Sequence, residues 1–184
     1  LERVNERWLA SRARTREIKR ATRRTPLRHE PHCTKVVARD GHSGDIVGWA
    51  AFDHLCSDGQ LIGGGLSTVR WDPSAACGGI ATLLAVDGAK LLRSTMDADG
   101  DFTLALGESP LAPLPAGVEL FGSRRSRYLD VIFRSVYHLG NAVYNTKGLT
   151  RWKRKWRAEQ QVLYCAVERE PPLRETAAAL SLIL

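Results

Sequence analysis

One short segment near the C-terminus combines positive charge with aromatic surface. In YNTKGLTRWKRKW, residues 144–156, five side chains are cationic, two are tryptophan and none is acidic. On a helix, Leu149, Trp152 and Trp156 share one face. A second face carries Lys147, Arg151, Arg154 and Lys155. We expect the first face to pack in the core and the second to bind a polyanion, the alternative for the second being a solvated surface.

Positive charge is concentrated in two parts of the chain. Residues 1–28 hold ten Lys or Arg and three Glu, and residues 147–157 hold six cations and no acid. Between them, residues 29–143 hold nine cations against thirteen acids. Two basic segments around an acidic middle favour a polyanionic partner, either nucleic acid or an anionic membrane surface.

A glycine pair stands where a helix is predicted to begin. Gly78 and Gly79 precede an apolar stripe that we expect to line one helical face, formed by Ile80, Leu83, Leu84 and Leu91. The free N–H groups at such a helix start bind phosphate, as in the pyrophosphate loop of the GNAT acyltransferase fold, which this order of elements resembles. The alternative is a helix that needs glycine to pack tightly on a sheet.

Metal chemistry is not expected. The four cysteines stand far apart with no CxxC spacing, at Cys33, Cys56, Cys77 and Cys165. This usage indicates reduced thiols in a cytosolic setting. His29, His32 and Cys33 are close in sequence, but Pro31 strains any short chelate and no fourth ligand is nearby.

The periodicity and the order of elements predict an α+β domain, and the resemblance to the GNAT acyltransferase fold implies a mixed central sheet flanked by helices. Helices are expected at 1–24, 80–91, 129–140 and 144–156, and strands at 34–38, 46–52, 61–71, 101–107 and 160–168. The strand 61–71 contains three consecutive glycines, which indicate a bulge or a close approach of a ligand, or else a loose turn. We predict a basic lead-in helix and linker over 1–30, the main domain over 31–170 and a tail over 171–184.

No stretch is apolar enough to span a bilayer, since the longest apolar run, 177–184, is far short of the ~20 residues required. The chain begins at Leu1 and ends after AAALSLIL, so we expect it to belong to a longer parent chain with further domains.

Several separated motifs resemble the C-terminal catalytic domain of the phosphatidylglycerol lysyltransferases. They are ALGESPLAPL (105–114), SRYLDVIFRSVYHLGNAVYNTKGLTRWKRKW (126–156) and VLYCAV (162–167). VNERWL and LSTVRWDPSA extend the resemblance, which runs from about Val4 to Glu168. It is strongest to the eukaryotic relatives that attach amino acids to sterols. The resemblance implies a GNAT-like fold that passes an amino acid from aminoacyl-tRNA to a lipid hydroxyl.

The resemblance also implies particular site residues. Arg70 of STVRWDP matches an arginine of the family's active site, and Gly107 matches the glycine of the LGxxPL loop. The YNxxGLxxxKxK pattern is matched by Tyr144, Asn145, Gly148, Leu149, Lys153 and Lys155. We expect Arg70 and Lys153 to face the site rather than the core and to hold a phosphate or the oxyanion. Lys147 and Arg151 are expected to bind the tRNA end, whose phosphates and single-stranded bases suit the basic segment.

One departure concerns the substrate's ammonium group. The bacterial members carry an acid three residues before the arginine, where this chain has Ser67. Glu108, in the neighbouring loop, is a candidate to supply the missing charge and, with His138, a candidate general base. Ser109 is expected to bind substrate rather than to act as a nucleophile, because no His/Asp arrangement lies near it in sequence.

The main hypothesis is therefore an aminoacyltransferase that acts at the cytosolic face of a membrane, on phosphatidylglycerol or a sterol. Aminoacyl-tRNA is its co-substrate, and no other cofactor is expected. The alternatives are an acyl-CoA-dependent N-acyltransferase that uses Gly78 and Gly79 for pyrophosphate, and a non-catalytic module that binds nucleic acid or membranes.

Overall fold

The computed structural model describes residues 1–11, 29–75, 78–96, 101–107 and 146–161. The chain divides into two compact units, Leu1–Gly107 and Glu108–Leu184. The first unit contains α1 (Glu2–Ala10), β1 (Cys33–Arg39), β2 (Ile46–Ser57), β3 (Gln60–Trp71), α2 (Ile80–Ser94) and β4 (Thr103–Ala105). In the second unit the described helix is α3, Thr146–Arg154. The domain limits near residues 30 and 170 stay a prediction.

The first unit is built on a mixed four-stranded sheet in the order β1-β2-β3-β4. The first three strands are antiparallel neighbours, and β4 pairs parallel to β3 after the crossover through α2. A parallel pair requires such a crossover, usually a helix, because a tight turn cannot join two strands that run in the same direction. The predicted α+β class with a mixed sheet and flanking helices is confirmed.

Two turns connect the antiparallel strands. In the predicted turn between β1 and β2, the Asp40 carboxylate accepts the backbone N–H groups of His42 and Ser43, at 2.9 and 2.8 Å. The turn between β2 and β3 has positive φ at Asp58 (50°) and Gly59 (78°), the backbone that favours a two-residue hairpin. Because this Asp-Gly turn was not recognised in the sequence, β2 was predicted to end five residues too early.

The two helices cover opposite faces of the sheet. Val4 of α1 packs against Trp49 and Ala51 of β2, and all three side chains are buried. On the other face, Gly88 of α2 lies against Phe52, so close that a Cβ at Gly88 would stand 2.4 Å from the Phe52 ring. Helix α1 is therefore part of the packed unit; residues 12–28, the rest of the predicted lead-in helix, lie outside the described residues.

The buried face of α2 differs from the predicted one. Its buried residues are Ile80, Leu84, Ala85, Gly88 and Leu92. Leu83 and Leu91 were expected on this face, but about half of each side chain is exposed. The helix approaches the sheet along Gly88, which has no side chain to hold it off, and this contact turns Leu83 and Leu91 outward. The apolar pattern alone does not reveal that rotation.

Two of the three glycines of β3 are explained by close packing within the protein, whereas a Cβ at Gly65 would stand no closer than 3.7 Å to its neighbours. A Cβ at Gly63 would stand 2.0 Å from the carbonyl oxygen of Thr103 on β4, and a Cβ at Gly64 would stand 2.4 Å from the side chain of Leu92. The register with β2 shifts beside them, so Ile62 is an extra residue on β3. The predicted bulge is confirmed, and the alternative of a loose turn is wrong because β3 continues unbroken through the glycines.

The helix predicted over residues 144–156 is present in the second unit as α3. Leu149, Trp152 and Trp156 are partly buried, and the two indole rings meet edge to face with centroids 5.6 Å apart. The aromatic face is thus a packing surface, as predicted. The predicted helix over 129–140 and the predicted strand from residue 162 onward lie outside the described residues.

Candidate functional site

The ends of the two parallel strands bring two predicted site residues near each other. The last paired residues are Gly65 of β3 and Ala105 of β4. Ser67 and Gly107 each lie two residues beyond this pair, on neighbouring strands. Among the described strands, none pairs with the β4-facing edge of β3 after Gly65. The end of parallel pairing is the place where substrates bind to many sheets with parallel strands.

Ser67 is itself a bulge residue. The register pairs Leu66 with Phe52 and Thr68 with Ala51, so Ser67 has no opposite residue on β2. Its side chain is exposed, and its hydroxyl donates to the carbonyl oxygen of Ala51 at 3.2 Å. Gly107 has a φ of 72°, in the left-handed region that favours glycine. Both residues therefore occupy irregular backbone at the same end of the sheet.

Arg70 is packed against α1, whereas the sequence predicted that it would face the site rather than the core. Only 7% of its surface is exposed. Its Nε donates to Oδ1 of Asn5 at 3.4 Å, and its guanidinium carbon lies 3.9 Å from the centroid of the Trp8 ring. A guanidinium at this distance over an indole gains cation–π stabilisation of about 0.5–2 kcal/mol. Arg70 therefore fixes α1 to the sheet, whatever else it does.

The next two residues of the chain continue this attachment to α1. The Trp71 ring meets Trp8 edge to face with centroids 6.3 Å apart, and the Asp72 carboxylate forms an ion pair with Arg7. Three consecutive residues thus contact one helix by three different interactions. Sequence reasoning missed the partners on α1, because nothing in VNERWL identifies which of its polar residues turns toward the sheet.

Asp72 is held in its charged form by its neighbours. Its carboxylate accepts the hydroxyl of Ser74 at 2.6 Å and the Ser74 backbone N–H at 2.9 Å, in addition to the pair with Arg7. The Ser74 hydroxyl, followed by Arg7, lowers the pKa of Asp72 to about 2. The signal in the sequence is the DPS triplet, in which an aspartate can accept the N–H two residues later.

We predict that Asp72 makes the first unit sensitive to acid. Because the folded pKa lies below the ordinary value of about 3.9, the carboxylate stabilises the fold above that value, and its contribution is lost as the pH falls toward 2. The free energy of unfolding of the wild-type chain should exceed that of Asp72→Asn, and this difference should shrink by roughly 1–2 kcal/mol between about pH 4 and pH 2. Urea unfolding across this range measures the difference.

The control for this prediction is Asp87→Asn, whose carboxylate pairs with Lys90 on the surface of α2 with 54% of its side chain exposed. Its effect on unfolding should change little over the same range. An advantage of wild type over Asp72→Asn that stays constant down to pH 2 would contradict the prediction.

A surface pocket of about 350 Å³ lies between α1 and the turn that joins β1 to β2. Four of its five charged side chains form ion pairs: Arg3 pairs with Asp45 at 2.9 Å, and Arg7 pairs with Asp72. The fifth, Asp40, accepts the N–H groups of its own turn. Arg3 and Asp45 are each more than half exposed, so water screens their attraction. The pocket therefore marks where α1 is attached rather than a preformed ligand site.

The predicted glycine pair does begin α2. Gly79 is the N-cap residue with a φ of 91°, and its carbonyl oxygen accepts the N–H groups of Thr82 and Leu83 at 2.9 and 3.0 Å. A Cβ on Gly78 or Gly79 would meet nothing within 4 Å, so close helix–sheet packing is not the reason for these glycines. The left-handed backbone explains Gly79.

Helix α3 separates its cations into two groups. Arg151, Arg154 and Lys155 are exposed, as expected for a face that binds a polyanion or water. Lys147 and Lys153 are partly buried and interact with other groups of the chain. The remaining predicted site residues lie outside the described residues; they are Glu108, Ser109, His138, Tyr144 and Asn145.

No group of three His, Cys, Asp or Glu side chains among the described residues is arranged to hold a metal ion. None of the helices described is long and apolar enough to cross a membrane.

Comparison with protein families identifies the chain. The model of the family described as phosphatidylglycerol lysyltransferase, C-terminal, matches residues 1–167. The chain belongs to this family. The lysyltransferase family supports acyl or aminoacyl transfer as the kind of activity, and it confirms the resemblance found in the sequence motifs. The closer similarity to sterol-modifying eukaryotic relatives stays a prediction.

Other comparisons add little to the family assignment. No curated protein matches the chain. One solved structure, described as a GCN5-related glucosamine N-acetyltransferase region in a fungal multi-domain GH3 β-N-acetylglucosaminidase, is 26% identical, with a TM-score of 0.30. The match covers 64% of this chain and 12% of that protein. At this TM-score the superposition carries no argument about this member of the lysyltransferase family.

Proposed function

We propose that the chain transfers an amino acid from aminoacyl-tRNA to the hydroxyl group of a membrane lipid. The observation that carries the proposal is membership of the phosphatidylglycerol lysyltransferase C-terminal family over residues 1–167. Phosphatidylglycerol and sterols are the two acceptor classes that we propose, and both present a free hydroxyl at the membrane surface. The location proposed is the cytosolic face of a membrane, where tRNA and lipid meet.

The protein does not need to activate the acyl group, because an aminoacyl ester is already activated. The lipid hydroxyl oxygen attacks the ester carbonyl, its proton is removed, and the tetrahedral oxyanion collapses with release of the terminal ribose hydroxyl of the tRNA, which regains a proton. The protein must align the two substrates and stabilise the negative charge as it develops. No redox partner or metal is needed for this balance.

We assign the cationic roles to Arg70 and Lys153, and the proton transfer to Glu108 or His138. The fixed position of the Arg70 side chain supports this assignment. Asn5 and Trp8 hold its guanidinium in one orientation, so little reorganisation is needed during the reaction. Ser67 and Gly107 each lie two residues beyond the last β3–β4 pair, and we propose that the acyl group binds there. Ser109, Tyr144 and Asn145 are proposed to contact substrate.

The exposed cations of α3 are proposed to bind the acceptor end of the tRNA. Arg151 and Arg154 of α3 and Lys155, which directly follows it, are exposed, and no acidic residue lies beside them between residues 146 and 157. Lys147 is assigned to the same interaction. Phosphate contacts of this kind supply affinity without sequence information, which suits an enzyme that must recognise a tRNA end.

The decisive experiment supplies the chain with a mixture of radiolabelled aminoacyl-tRNAs and a total lipid extract, and then separates the organic phase. Label in that phase that is stable to ribonuclease supports the proposal. Vesicles of phosphatidylglycerol alone, compared with vesicles containing a sterol, then identify the acceptor. Absence of label with every amino acid and both lipids would contradict the proposed transfer.

A second candidate, acyl-CoA-dependent N-acyltransfer, is favoured by the open glycine pair at the start of α2. The positive end of the helix dipole lies there, and the absence of an acidic residue from the first turn suits a pyrophosphate. Against it, the pair lacks the Arg or Gln that usually opens such a loop in the GNAT fold. We therefore expect that calorimetric titration of acetyl-CoA into the chain detects no binding with a micromolar dissociation constant. Binding in that range would make acyl-CoA-dependent transfer the preferred function.

A further inference from the structure

One acidic side chain lies on the sheet where the parallel pairing ends. Asp53 is the only acid in the strands that the structure describes. It stands opposite Gly65 on β3, and Gly65 in turn stands opposite Ala105 on β4. Gly65 and Ala105 form the last parallel pair, next to the proposed position of the acyl group. A carboxylate is therefore located one strand away from that position.

Asp53 belongs to the face of the sheet on which α1 packs. Trp49 and Ala51 of the same strand contact Val4 of α1, and every second residue of a strand points to the same face. Arg70 stands opposite Trp49, which lies four residues, or about 13 Å, along β2 from Asp53. The only acid of the described strands and the arginine assigned to phosphate or oxyanion binding thus share one face.

The surface beside Asp53 has room for a ligand. Asp53, Gly65 and Ala105 are each partly exposed, and residues opposite one another in a sheet share a face. A Cβ at Gly65 would find its nearest neighbour at 3.7 Å, so close packing does not explain this glycine. Toward β4, the carboxylate therefore has neighbours with no side chain larger than a methyl group, and a ligand group can approach it across them.

The charges nearby suit a ligand cation. Lys35 of β1, the diagonal neighbour of Asp53, pairs with Glu30 at 3.4 Å. Asp53 interacts with other groups of the chain as well. Because the two oxygens of a carboxylate have about four acceptor positions, Asp53 can bind a ligand ammonium in addition to these groups.

We propose that the Asp53 carboxylate binds the α-ammonium group of the aminoacyl donor. This ammonium lies one carbon away from the carbonyl group that is attacked, and it is present whichever amino acid is transferred. A hydrogen bond between an ammonium and a carboxylate is stronger than one between neutral groups, and the hydroxyl of Ser67 is uncharged. The inference rests on the proposed function, and it adds a binding residue that the sequence motifs did not indicate.

The test compares two donor mimics that differ in one charge. Each probe is a fluorescent single-stranded RNA ending in CCA, whose terminal ribose carries a glycyl group through a stable amide bond. In the first probe the glycyl nitrogen is a free ammonium, and in the second it is acetylated and uncharged. Both are titrated with the 184-residue chain and followed by anisotropy. We expect the wild type to bind the charged probe about tenfold more tightly than the acetylated probe.

Asp53→Asn keeps the size of the side chain and removes its charge. It should bind the two probes with affinities equal to within about twofold, and it should bind the acetylated probe as the wild type does. Unchanged affinity for the acetylated probe also shows that the variant is folded. The matched control is Asp87→Asn on α2, which removes an equal charge from the other face of the sheet and should keep the wild-type preference.

Three results would overturn the inference. They are a preference for the charged probe that persists in Asp53→Asn, equal loss of affinity for both probes in that variant, and a wild type that binds neither probe or binds both equally. The second result would make Asp53 a residue that supports the sheet.

The outcome is separable from that of the proposed function. Lipid labelling by the wild type, together with a preference that persists in Asp53→Asn, removes Asp53 from the site and leaves the transferase proposal standing. A preference that depends on Asp53, in a chain that never labels lipid, supports the ammonium site and rejects the lipid acceptor.

Discussion

Arg70→Ala is expected to lower lipid labelling by about 10²–10³-fold, the usual effect of removing one donor that stabilises an oxyanion. The same substitution should lower the free energy of unfolding by about 1–3 kcal/mol, because the guanidinium also stacks on Trp8 and bonds to Asn5. Initial rates of transfer, measured well below the unfolding midpoint and paired with urea unfolding, give both quantities.

The control must loosen α1 without removing the guanidinium. Trp8→Leu deletes both ring contacts, with Arg70 and with Trp71, and should therefore cost similar stability. If Arg70 acts on substrate, Trp8→Leu retains far more transfer than Arg70→Ala at equal folded fraction. Equal losses in the two variants would reduce Arg70 to an anchor for α1, and near-normal turnover in Arg70→Ala would remove it from the site.

The second large effect is expected in the salt dependence of tRNA binding. Suppose that the two basic segments, 12–28 and 147–157, together contact about five phosphates. A plot of the logarithm of the binding constant against the logarithm of the salt concentration should then have a slope of roughly −4 to −5. Replacing the exposed Arg151, Arg154 and Lys155 by glutamine should flatten the slope by up to about three units and weaken binding for every tRNA alike. Filter binding across a salt series measures both.

A matched triple variant controls for net charge. Arg39, Lys90 and Arg93 are also exposed, on the first unit, and their replacement by glutamine changes the charge by the same amount. The slope of this variant should stay close to that of wild type. An unchanged slope in the α3 variant would mean that its exposed cations are only a solvated surface, or that they contact membrane.

Local sequence signals predicted most of the sheet and the helix α3. The first hairpin followed from β-branched runs on either side of an Asp-Gly and Ser-Gly turn, and α3 followed from its tryptophan spacing. These signals act over a few residues, so they can be read without the fold. Ser67 and Gly107, joined in one site only through the family resemblance, each lie two residues beyond the last β3–β4 pair.

Contacts between distant parts of the chain were not predictable in the same way. Asn5 lies 65 positions from Arg70, and no local pattern indicates that the two bond. The orientation of α2 depends on Gly88 meeting Phe52, a contact that periodicity does not encode because leucines occupy several sides of the helix. Both errors arise where tertiary packing, and not local propensity, decides which side chain is buried.

The extra residue at Ser67 has a consequence for the tolerance of β3 to insertion and deletion. Leu66 faces α2, as does its partner Phe52, whereas Arg70 contacts α1. On a regular strand Leu66 and Arg70 would share a face, because they are four residues apart and side chains alternate between the two faces. The bulge makes this switch. Deleting one residue at Ser67 would move the Arg70 side chain to the other face of the sheet, into the apolar layer beneath α2. Substitution at this position should therefore be tolerated by the fold, while shortening the strand there should not.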